Sequence, residues 1–83
     1  MKNSFNQKQN VLLNQVNNYL IENTDKLQRI PTKAFIIPVT SNDHEYFSYS
    51  MTLIKEAVRD QKKNIIIALL LNKDHWIFQR VIQ

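Results

Sequence analysis

This chain of 83 residues contains no glycine, and that absence restricts its architecture and chemistry more than any motif it carries. An average chain of this length holds about six. Glycine adopts positive φ without penalty and lets a backbone approach a phosphate closely. Walker-type phosphate loops, Rossmann fingerprints and GXXG nucleic-acid clamps all depend on it and are excluded. The nucleophile elbow, which needs glycines around its serine, is excluded too.

The length bounds the rest. There is room for one domain, spanning 1–83, and a domain this small buries only about 60–65% of the surface its unfolded chain exposes. Without cysteine it has neither a disulfide staple nor a thiolate zinc site. Self-association is the remaining source of support, so a homo-oligomer, in the simplest case a dimer, is expected. The opening MKNSFNQKQN has no apolar stretch of the kind a secretory signal needs. The longest apolar run, 65–71, is far short of the roughly 20 residues of a membrane helix. A cytoplasmic protein with no membrane partner is the expectation.

Hydrophobic periodicity divides the chain into alternating helices and strands. Ser4 followed by Gln7 has the spacing of a capping box, and Phe5, Leu12, Leu13, Val16, Tyr19 and Leu20 then fall on one helical stripe. Val11 and Ile21 lie off it, as incidental surface residues or a second contact face. Asn23-Thr24 is expected to end this helix, with asparagine in the left-handed position glycine would usually take. A short helical turn over 25–30 must stop before Pro31. The run 33–40 reads as a strand apolar on both faces, and Pro38, which cannot donate to a ladder, argues that one side of it is unpaired.

Ser41 or Asn42 is expected to cap a second long helix. Its core side would carry Tyr46, Phe47, Met51, Leu53, Ile54, Ala57 and Val58, with Tyr49 at the margin. After the turn Gln61-Lys62-Lys63-Asn64, the seven consecutive apolar residues of 65–71 describe a central strand covered on both faces. The last segment, 76–82, either pairs back as a third, antiparallel strand or forms a short helix capped by Asp74. The predicted fold is therefore a small α/β (α+β) domain of order α-β-α-β(-β), built on a βαβ unit with a mostly parallel sheet.

The segment YLIENTDKLQRIPTKAFIIPVTSNDHEYFSYSMTLIKEAVRDQKKNIIIALL resembles a family of small prokaryotic proteins known only as a domain of unknown function. The shared order is a helix, an L-x-x-I-P turn, an apolar strand, an Asp-containing loop, a helix and a second apolar strand. The resemblance implies an α/β fold and brings no activity or catalytic residues with it. The 76–83 tail departs from the family's pattern.

If the two strands run parallel, the loops 40–44 and 72–75 meet at the carboxyl edge of the sheet, where α/β proteins bind ligands. Each holds an Asp-His pair, Asp43-His44 and Asp74-His75, and these are the chain's two histidines. Carboxylate and imidazole together suit a divalent metal or acid–base work. The plainer reading is that the aspartates cap or turn and the histidines are solvated, so neither a metal nor any other cofactor is assigned. Trp76, beside the same edge, is the aromatic best placed to touch a ligand, unless it only caps the core.

The net charge of +4 leans mildly towards polyanions. Lys55, Arg59, Lys62 and Lys63 form the nearest approach to a basic patch, but Glu56 and Asp60 are interleaved with them, as on an ordinary solvated helix face. No nucleic-acid recognition motif accompanies them. The expectation is a non-enzymatic interaction module that associates with itself or another protein. The alternatives are a nucleic-acid-associated protein, or a metal- or small-ligand-binding domain using the Asp-His edge.

Overall fold

Two apolar runs and the amphipathic segment between them form a parallel strand–helix–strand unit in the computed structural model, which describes residues 2–72 and 75–81. The order is α1 (Lys2–Glu22), α2 (Thr24–Leu27), β1 (Phe35–Thr40), α3 (His44–Arg59), β2 (Ile65–Asn72) and β3 (His75–Arg80). The strands make one mixed sheet in the order β1-β2-β3. Phe35 to Thr40 run parallel to Ile65 to Leu70 in step. Of the two readings of the tail, the antiparallel strand is the one formed, with Leu69 opposite Ile77 and Ile66 opposite Arg80. The small α+β domain read from the periodicity is the fold observed.

Strand alternation sorts the core into two layers. On one face Leu12, Val16 and Leu20 of α1 pack over Ala68 and Trp76, and all five are buried. On the other, Ala57 of α3 packs with Ile37, Val39 and Ile65. Val11 and Ile21 project into solvent, as their off-stripe positions require.

Pro38 occupies the position its chemistry allows. The Phe35 N–H donates to the Asn64 carbonyl, so Phe35, Ile37 and Val39 turn their backbone groups to β2, and Pro38 faces outward. There α3 closes the edge: the Tyr46 hydroxyl donates to the Pro38 carbonyl at 2.9 Å, and the Ser50 hydroxyl, which donates within the helix to the Tyr46 carbonyl at 2.9 Å, lies 3.4 Å from it. The opposite edge of the sheet is β3. Val81 N–H donates to the Ile65 carbonyl, which by the same alternation directs the backbone groups of Phe78 and Arg80 away from β2.

Several local expectations are corrected. The first helix begins at Lys2, so Ser4 lies inside it rather than at its cap. Asn23 is not left-handed, with φ −129° and ψ 70°. It ends α1 through its side chain, whose amide donates to the Tyr19 carbonyl at 2.7 Å and satisfies a helix-terminal acceptor. The cap of α3 is Asp43, not Ser41 or Asn42, because the Asp43 carboxylate receives the Tyr46 N–H at 3.1 Å. Phe47 and Val58, assigned to the core side, are substantially exposed. Ser50 is fully buried in their stead, since a small side chain lets α3 approach the Pro38 carbonyl.

Positive φ occurs at Gln61 (59°) and Asn64 (57°). At Gln61 the α3 terminus has Schellman geometry: Lys62 N–H bonds the Ala57 carbonyl and Gln61 N–H the Val58 carbonyl. The position usually given to glycine is thus filled by glutamine.

Candidate functional site

The carboxyl ends of β1 and β2 do lie together, since Thr40 is in register with Leu70. Whether the side chains placed at that edge converge is decided by α1, which engages Asp43 and His75 at separate points. Asp43 Oδ2 pairs with Lys8 Nζ at 2.7 Å, while the His75 ring sits edge-on to Tyr19, with centroids 6.5 Å apart and planes at 88°. Lys8 and Tyr19 are 11 residues apart on α1, or roughly 16 Å along the axis at about 1.5 Å per residue. His44 opens α3 and is exposed. Asp74 lies outside the described residues. Among the described residues no three His, Asp or Glu side chains gather as a metal site would require.

Asp43 is therefore occupied twice. The Lys8 ammonium, and after it the Tyr46 amide, hold its carboxyl below the usual range. The neighbouring Tyr46 is driven the other way: burial pushes its phenol up, with the Ser50 hydroxyl opposing. Both groups serve to seat the start of α3 against α1 and β1. Tyr49, placed at the helix margin by the sequence pattern, also joins this contact by stacking on Phe5 with centroids 5.0 Å apart.

The four basic residues are all exposed at the far end of α3 and in the turn beyond it. Arg59 pairs with its neighbour Asp60 at 3.3 Å, and Lys62 Nζ lies 5.9 Å from the centre of the Phe35 ring.

Two features emerge that the linear pattern did not disclose. The first is a groove of about 340 Å³ between the α2 region and β3. Trp76 lines it, although the side chain is only 2% exposed. The second is the outer edge of β3, next to which Ile77 is 43% exposed and Leu71 48% exposed. Ile77 lies opposite Leu69, on the sheet face that carries α3. That helix packs chiefly over β1, and Ile77 on β3 remains exposed. The groove has no signature in a contiguous stretch of sequence, since it joins segments far apart along the chain.

No protein-family model matches this chain, and neither a curated protein nor a solved structure shows significant similarity to it.

Proposed function

We propose that this chain is a non-enzymatic interaction module that pairs with a second copy of itself through the outer edge of β3. The observation that carries the reading is the asymmetry of the sheet's two edges. One is closed by Pro38 and by the Tyr46 hydroxyl bonded to its carbonyl. The other presents β3 with the apolar Ile77 beside it.

An edge strand of this kind is a template for further pairing, and a protein that keeps one normally has a use for it. Antiparallel pairing of β3 with its own copy is two-fold symmetric and extends the sheet to six strands. The closed β1 edge then stops further growth, giving a dimer rather than a fibre. When like faces stay together, Phe78 lies opposite its counterpart and Trp76 opposite the partner's Arg80, so the β3 cations are not set against each other. The exposed Ile77 side chains of both copies come to lie near the two-fold axis.

Sedimentation at micromolar concentrations tests the reading. Dimer is expected for the natural chain. Ile77→Lys, which places a charge beside the edge at a half-exposed position, is expected to be monomeric with an unchanged circular dichroism spectrum. A compact monomer for both chains would refute the proposal.

A further inference from the structure

A second binding feature lies on the sheet face opposite α3. The groove between the α2 region and β3 has an apolar floor formed by Ile66, Trp76 and Phe78, with Ile30 and Pro31 as its wall. Its charged lining residues are Lys26, Arg29 and Arg80. Among the described residues no carboxylate lines it, and none of these three cations forms an ion pair. Lys26 is held in place by the Tyr19 hydroxyl at 2.6 Å. Arg80 is held by Asn64 Oδ1 at 3.2 Å, a contact that uses one guanidinium nitrogen. Arg29 has no polar partner among the described side chains.

Concavities of 300–1,000 Å³ with an apolar lining and a few placed polar groups are the usual form of small-molecule sites. Here, among the described residues, the charged lining groups are all cationic, with His75 beside them, and Arg29 is the one of the three cations with no side-chain acceptor. From the groove's charge and shape we infer that it binds a free amphipathic anion: a small molecule with an aliphatic or aromatic body and one carboxylate. The body lies on Trp76 and Phe78. The carboxylate meets Arg29, whose planar guanidinium can engage both oxygens, with Lys26 or Arg80 alongside. Trp76, Phe78 and Arg80 belong to both the groove and the proposed pairing edge, but the inference does not rest on that pairing, because its test residue Arg29 follows α2 and takes no part in the sheet.

Trp76 is the only tryptophan in the chain and so reports directly on the groove. Titration of its fluorescence with octanoate, octanamide and acetate separates the contributions of charge and body. Octanoate is expected to saturate at one equivalent. The isosteric amide is expected to bind at least about tenfold more weakly, the factor that loss of one charge-assisted hydrogen bond implies, and the bodiless acetate at least about tenfold more weakly through lost apolar burial. Arg29→Gln, an exposed substitution, should weaken octanoate by about the same factor and leave octanamide unchanged.

Equal binding of acid and amide would overturn the inference, as would an unaltered octanoate affinity in Arg29→Gln. So would the absence of both a fluorescence change and calorimetric heat with millimolar octanoate. Co-sedimentation of the protein with phosphatidylserine vesicles, undiminished by octanoate, would overturn it in favour of a lipid surface.

Discussion

Gln61 carries a backbone conformation that costs an ordinary L-residue about 1–2 kcal/mol, and it does so because this chain has no glycine to place there. Gln61→Gly keeps both Schellman hydrogen bonds and removes that cost, offset in part by the greater freedom of glycine in the unfolded chain. The expected net gain is about 1 kcal/mol, read in a thermal melt as a rise of about 4–8 °C in Tm. Asp43 gives a second prediction at this scale. Its carboxyl is held low by Lys8 and the Tyr46 amide, so the stability it contributes is complete above the usual aspartate value of about 3.9. That contribution disappears as the pH falls through the lowered value in the folded state. Melts stepped from about pH 5 to about pH 2 should show a steeper loss in the natural chain than in Asp43→Asn, which keeps a capping oxygen but cannot ionise. Identical slopes would show that the Lys8 contact does not persist in solution.

At the scale of elements, the strands were the most legible part of the sequence. The double-sided run of β2 and the single proline of β1 together specify a central strand beside an edge strand, and that is the arrangement formed. Helix faces were legible on α1, where Leu12, Val16 and Leu20 repeat every four residues. They were less so on α3, because hydrophobicity alone cannot tell that a serine will be drawn to an outward-facing carbonyl. The Tyr46 hydroxyl joins α3 to the β1 edge, and the Ser50 hydroxyl, bonded to the Tyr46 carbonyl, lies beside it. Tyr46→Phe leaves the ring in place and removes the joining donor. It should cost about 1–2 kcal/mol in chemical denaturation, the range for a lost buried hydrogen bond. The candidate ligand groove escaped sequence reading for a different reason. Its cations stand on α2, in the turn after it and at the end of β3, some fifty residues away in sequence, where neither periodicity nor spacing relates them. The Asp-His edge was visible as a repeated dipeptide, but α1 engages Asp43 and His75 at well-separated points along its length.

At the scale of the whole molecule, among the described residues two helices and one short helical turn cover three strands incompletely, and Ile77 of β3 is left exposed. A domain of 83 residues has a modest core, so apolar surface left at an edge weighs more than it would in a larger protein. The proposed self-pairing at β3 would engage the outward-facing backbone groups of Phe78 and Arg80 and cover the exposed Ile77 in one step, whereas the proline-bearing edge of β1 cannot be used in this way. The most direct measurement is amide hydrogen exchange by NMR at low and high protein concentration. The amides of Ile77 and Gln79, which face β2, should be protected at both concentrations. Those of Phe78 and Arg80 should exchange freely in dilute solution and become protected as the concentration rises. Rapid exchange at Phe78 and Arg80 at every concentration would contradict pairing through this edge.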